Sequence, residues 1–321
     1  MRRLIGFFIA AVIAAAPLAA SASEAGQCPV PQITAGLEQL SATGKMPQDV
    51  RALLDDPAVQ RIVPFRAFDN VYFVGICWVS AWLIVDPAGD ILIDTLHEPH
   101  VDTLLANLAA VGAKPADIRY VLITHGHFDH AGGAAHLKTV LPKARFVMTR
   151  KGWQEARENA ASASPSPWTM IAPDIIAKDG DRFRVGKTVV TAYETPGHTP
   201  GTASYVYRVR DGRKTYRAVT VGGLGLNAIK NVAQVEAYVA SVQRLQRMAN
   251  DKKTPITVSL TTHPPAAGMF AQADRLAARR PGDPNPFVDP TGFKAQLADL
   301  LKRGEARVVV EREKAKAAAA K

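Results

Sequence analysis

Short apolar runs divided by turn residues dominate the chain. Val71 to Ile76, Ala81 to Val85 and Ile91 to Asp94 read as strands, with Pro87-Ala88-Gly89-Asp90 marking one turn between them. The apolar positions of His100 to Val111 recur at helical spacing. Tyr120 to Thr124 then reads as a strand, Ala135 to Val140 as a helix and Arg145 to Thr149 as another strand. The second half repeats the theme, with strands at Val189 to Tyr193, Ala203 to Val209, Arg217 to Val221 and Ile256 to Leu260. Its helices fall at Gln234 to Met248, Gly268 to Ala278 and Thr291 to Leu301. Two strand-rich halves, each with helices, predict an α/β molecule of two packed sheets with helices on the outer faces. Residues 23–66 read as an N-terminal arm with short helices, one of them around Pro47 to Leu54.

The two ends of the chain follow other patterns. Arg2 and Arg3, the apolar stretch Leu4 to Ala19 and the small residues Ala20-Ser21-Ala22 have the form of a secretory leader. Residues 1–22 are therefore expected to be removed, with cleavage near Ala22, leaving a periplasmic or secreted protein with no stable membrane anchor. Residues 23–313 form the expected catalytic domain, and 314–321 a basic Ala/Lys tail that is a fraying helix end or disordered.

The formal charge of +10 changes little on inspection. Arg2 and Arg3 leave with the leader, and 302–321 carries seven basic and three acidic residues, so the body stays near +4. That serves solubility and is not the footprint of a nucleic-acid groove. The two cysteines, Cys28 and Cys77, can pair in an oxidising compartment, although sequence does not fix their geometry. Neither lies in metal-ligand spacing.

The candidate chemistry is concentrated at strand ends. Thr124-His125-Gly126-His127-Phe128-Asp129-His130 places four potential ligands within six residues, directly after an apolar run. Imidazole and carboxylate together suit zinc or a similar borderline ion. His198, in Pro196-Gly197-His198-Thr199-Pro200-Gly201, and His263, in Thr262-His263-Pro264, stand at comparable turns; His97, His100 and His136 do not.

These motifs together resemble the metallo-β-lactamase superfamily, in particular the third subclass of the β-lactamases, which uses no cysteine ligand. Asn70 to Gly75, Ile91 to Asp94 and Asn285 to Pro290 add to the resemblance, which spans nearly the whole mature chain. It implies an αββα sandwich with metals in a cleft at one sheet edge. It also implies two Zn2+ per chain, one held by His125, His127 and His198, the other by Asp129, His130 and His263. The implied reaction is opening of a small-molecule β-lactam by a zinc-bound hydroxide, with Asp129 orienting the nucleophile. Asp94 is either an acceptor behind a ligand imidazole or a turn cap.

Two departures bear on substrate. Thioesterases and lactonases of the superfamily carry a carboxylate that bridges both metals, where this chain has Val221-Gly222-Gly223. The related β-lactamases often carry Ser-Leu-Ser, where this chain has Gly223-Leu224-Gly225. Backbone groups of Gly223 and Gly225, or the Asn227 side chain, are the candidate replacements for those hydroxyls. Trp168, in the Pro/Ser-rich stretch Ser162 to Pro173, is a candidate wall of the cleft. The alternatives are a zinc hydrolase of another ester or lactone, and a non-catalytic zinc-binding protein.

Overall fold

The computed structural model describes residues 28–162 and 168–320; residues 1–22, the expected leader, lie outside them. The arm contains α1 (Val30–Thr43), α2 (Gln48–Asp55) and α3 (Pro57–Gln60). Strands β1 (Phe65–Phe68), β2 (Val71–Phe73), β3 (Trp82–Ile84) and β4 (Asp90–Ile93) follow, then α4 (Val101–Ala110), β5 (Ile118–Leu122), α5 (Phe128–Ala131) and α6 (Ala134–Val140). Next come β6 (Arg145–Thr149), α7 (Arg150–Ala161), β7 (Ile175–Ala177), β8 (Arg182–Val185), β9 (Thr188–Glu194), β10 (Ala203–Asp211) and β11 (Lys214–Thr220). The chain ends with α8 (Val232–Ala249), β12 (Ile256–Leu260), α9 (Met269–Ala277) and α10 (Pro290–Ala319).

Strands β1 to β7 form one sheet in sequence order, and the second runs β12-β11-β10-β9-β8. Each begins as an antiparallel meander and becomes parallel, at β4 against β5 and at β11 against β12. The central strands explain themselves. Ile91, Leu92 and Ile93 are fully buried on both faces, as expected where a parallel strand is covered above and below. This is the expected sandwich.

Helix α8 buries Val235, Tyr238, Val242, Leu245 and Ala249 along one stripe. That stripe meets Phe293, Leu297 and Leu300 of α10, giving the second sheet its own apolar layer. The expected helix from Thr291 to Leu301 is the start of this much longer one. Residues 314–319 continue it in helical form rather than as a disordered tail.

The sheets are joined at the level of the histidine loop. The Ala203 N–H donates to Thr124 O at 2.8 Å, and the Tyr205 hydroxyl donates to Ile123 O at 2.8 Å. The arm is joined to the first sheet by a Cys28–Cys77 disulfide, with the Cα atoms 5.7 Å apart, inside the usual range. Among the described residues, no helix is long and apolar enough to cross a membrane.

Candidate metal centre

Every candidate ligand sits just beyond a strand or on the turn that follows one. β5 ends at Leu122, so His125 and His127 leave the first sheet at its C-terminal edge and Asp129 and His130 fall on the single turn of α5. β9 ends at Glu194 and delivers His198; β12 ends at Leu260 and delivers His263. The ligands thus come from both sheets and meet at their shared edge.

The ligand atoms form two groups of three, His125, His127 and His198 in one, Asp129, His130 and His263 in the other. His125 Nε2 lies 3.1 Å from His127 Nδ1, which lies 3.2 Å from His198 Nε2. In the second group, His130 Nε2 is 3.2 Å from His263 Nε2 and 3.1 Å from Asp129 Oδ2. Nitrogens about 2.0–2.1 Å from a tetrahedral zinc lie roughly 3.3 Å apart, so both groups have the spacing of a coordination sphere.

The surrounding polar groups choose the ring tautomers. His198 Nδ1 donates to Gly225 O at 2.8 Å, and His263 Nδ1 donates to Trp78 O at 2.8 Å; carbonyls only accept, so Nε2 of each ring keeps its lone pair. Asp94, 1% exposed, accepts from His130 Nδ1 at 2.9 Å, from the Thr124 N–H at 2.7 Å and from the Thr124 hydroxyl at 2.9 Å. With its proton committed to Asp94, that hydroxyl accepts from His125 Nδ1 at 3.1 Å, which leaves His125 Nε2 free. One carboxylate therefore orients a ring in each triad. Asp94 does so from a left-handed backbone, φ 64°, and Leu96 is left-handed as well, φ 56°. Non-glycine residues held there cost of order 1–3 kcal/mol each, and such strain clusters at functional sites.

Electrostatics divide the two groups. Burial, reinforced by neighbouring imidazoles, lowers His127 to about 4 and His198 to about 3, and takes His125 well below its usual value. The first triad is therefore three neutral imidazoles at neutral pH, which is the form that binds a metal. In the second triad burial opposes both charges, but Asp129 and Asp94 outweigh it and raise His130 to about 10. The same pairing holds the Asp129 carboxyl far below the usual carboxylate range. A cation arriving there takes the place of the His130 proton.

The other candidates are arranged differently. A Cβ on Gly223 would lie 2.6–2.7 Å from the His198 ring, so Gly223 packs flat against a candidate ligand. Gly225 and Asn227 are exposed on the same loop, where Gly225 also supplies the carbonyl that holds His198. Trp168 is half-buried and packs against the main core. Trp78, by contrast, stacks on His263 with ring centroids 5.6 Å apart. The Thr124 hydroxyl and the two ring-holding carbonyls escape a reading based on ligand-type residues. The hydroxyl had one signal, its place directly before His125.

A model of the metallo-β-lactamase superfamily matches residues 74–212. A hydroxyacylglutathione hydrolase from Rhodopseudomonas palustris is 31% identical over 258 residues, covering 78% of this chain and 88% of its own. The chain belongs to the metallo-β-lactamase superfamily. Within it, the native FEZ-1 metallo-β-lactamase from Legionella gormanii superposes with a TM-score of 0.71 at 29% identity, covering 79% of this chain and 98% of that one. BJP-1, a subclass B3 metallo-β-lactamase of Bradyrhizobium japonicum, gives 0.67 at 27% identity, covering 79% and 96%. The superfamily fold thus accounts for both sheets and for the edge at which the histidines meet.

Proposed function

We propose that this chain is an exported hydrolase that binds two zinc ions and opens the amide of a β-lactam. The observation that carries the reading is the candidate ligand set: two triads, with no carboxylate shared between them among the described residues. At the end of β11, where a bridging carboxylate would stand, the chain has Val221, Gly222 and Gly223. Bound at the two triads, zinc supplies Lewis acidity and an activated water at neutral pH. The residues do the rest. Neutral His125, His127 and His198 hold one position without adding charge, and ionised Asp129 offsets charge at the other. Asp129, facing His130 and His263, also supplies the acceptor that orients the attacking water. Gly225 and Asn227 stand exposed on the loop beside His198 to meet the substrate.

A second reading, hydrolysis of a glutathione thioester, is favoured by the names of two sequence relatives, both hydroxyacylglutathione hydrolases. The test is turnover of penicillins, cephalosporins and carbapenems beside an acyl-glutathione thioester, with zinc measured on the same preparation. β-Lactam turnover that a chelator removes and zinc restores is expected. Turnover of the thioester alone replaces the first reading with the second. His198→Ala should reduce kcat/KM by at least 100-fold on the accepted substrate, and unchanged turnover would falsify the assignment of the first triad.

A further inference from the structure

Helix α8 holds the turn that carries His198 and the loop that covers it, on one face. Gln234, Tyr238 and Ser241 lie at i, i+4 and i+7, the spacing that aligns side chains on one stripe. Ser241 Oγ donates to Pro196 O at 2.7 Å. Gln234 Nε2 lies 2.9 Å from Gly197 O and 3.1 Å from His198 O, so three consecutive carbonyls of the turn face this stripe. Gly197 lies flat on the helix. Its φ is 146°, and a Cβ there would sit 2.3 Å from the Tyr238 Cα.

Gln234 and Tyr238 of the same stripe reach the loop at 222–230. Gln234 Nε2 is 3.0 Å from Ala228 O, its Oε1 accepts from the Lys230 N–H at 3.0 Å, and the Tyr238 hydroxyl donates to Leu224 O at 2.8 Å. A primary amide has two N–H donors, so three carbonyls share them, and Gln234, only 8% exposed, has no spare donor. The loop in turn grips the ring itself, through Gly225 O on Nδ1 and through Gly223 against its face.

We infer that Gln234 is a positioning residue for the first metal triad, locking the His198 turn and the 222–230 loop into one unit. The inference rests on the metal-binding reading of the two triads and not on the choice of substrate. Without the amide, four backbone groups lose their partner inside the protein, and the turn and loop part. His198 Nε2 then no longer keeps its place 3.2 Å from His127 Nδ1. The second triad is built from Asp129, His130 and His263, none of which contacts α8 through this hub, so its affinity stays.

The test is zinc affinity, measured by competition with a chelator, on full-length mature protein. A His263→Ala background isolates the first triad, and a His198→Ala background isolates the second. Gln234→Met, which removes every polar contact at similar volume, should weaken zinc binding about 10–100-fold in the first background, the usual effect of losing a partner behind a metal ligand. It should leave affinity in the second background within threefold. Gln234→Glu keeps the acceptor for Lys230 and loses the donors; it should behave like Gln234→Met and covers the case in which the latter does not fold. Unchanged affinity in the first background overturns the inference, as does an equal fall in both. Failure of the unsubstituted protein to bind zinc at either triad instead overturns the metal reading beneath it.

Discussion

Gly223 has a role that its chemistry alone does not show. It stands where a hydroxyl would be expected to greet a substrate carboxylate, yet its missing Cβ leaves room for the His198 ring. Gly223→Ser should therefore weaken zinc binding at the first triad by about tenfold or more, with no fall in KM for a β-lactam. A lower KM with zinc affinity intact would show the loop yielding and the hydroxyl serving the substrate. Glu155 offers a test by pH. Its Oε1 accepts from the Gly201 N–H at 2.7 Å, and burial raises its pKa above the ordinary glutamate value. A carboxyl raised in the folded state binds its proton more tightly there, so its contribution is fully present below the unfolded pKa and is lost as pH rises through the folded one. Glu155→Gln does not titrate and retains the acceptor. It should raise stability relative to the parent at pH 7.5, and by less at pH 4; denaturant midpoints at the two pH values decide it, and an equal difference at both would remove the argument. At this scale the grouping of the six candidate ligands was legible because imidazole and carboxylate side chains at strand ends leave a strong pattern. Gln234 and Glu155 were not, because the sequence around a polar residue carries no sign of the turn it will face.

Among elements, legibility followed the strength of the apolar pattern. β6 and β12 were readable to the residue because each is a short apolar run with clear ends. α7, with the sequence RKGWQEARENAA, was not expected, since only Gly152, Trp153 and Ala156 are buried, too few apolar positions to show a helical period. It nonetheless flanks the histidine loop, where Asn159 Nδ2 donates to Gly126 O at 2.8 Å. α10 was cut short for the opposite reason: beyond Leu301 its apolar period fades, and the helix continues on i,i+3 and i,i+4 ion pairs such as Arg307–Glu311 and Lys314–Glu311. The arm is an element with a site-directed task. Gln60 accepts from the Cys77 N–H at 2.9 Å through its backbone and from the Trp78 N–H at 3.1 Å through its side chain, and Trp78 O holds His263. The disulfide closes 49 residues over this contact. Cys28→Ser should cost about 4 kcal/mol on a chain-entropy basis and should weaken the second triad more than the first. Thermal unfolding and the two-background zinc titration read both; equal affinities in the variant would confine the arm to stability alone.

For the whole molecule, the sandwich could be anticipated because each half of the chain carries the same strand-rich texture. The pairing of the sheets could not, because it depends on a few long-range contacts. Asn70 is one, donating to Arg208 O at 3.1 Å and accepting from the Arg210 N–H at 2.8 Å. The histidine edge is another such junction, with His125, His127, Asp129 and His130 from the first sheet and His198 and His263 from the second. Ions bound there span the two halves, and a ligand bound only by the folded state adds RT ln(1 + [L]/Kd) to its stability. At zinc 100-fold above Kd that is about 2.7 kcal/mol per site. A chelator should lower Tm, zinc should restore it, and a Tm indifferent to both would mean that the edge is already closed without them.

The placement of the six candidate ligands on two sheets ties any metal they hold to the survival of the folded chain. Without that metal the sheets would lack a clasp, and the seam left to open is the one lined by the candidate ligands. Proteases act on whatever fraction of molecules is open, so a metal-free population would be cleared rather than stored.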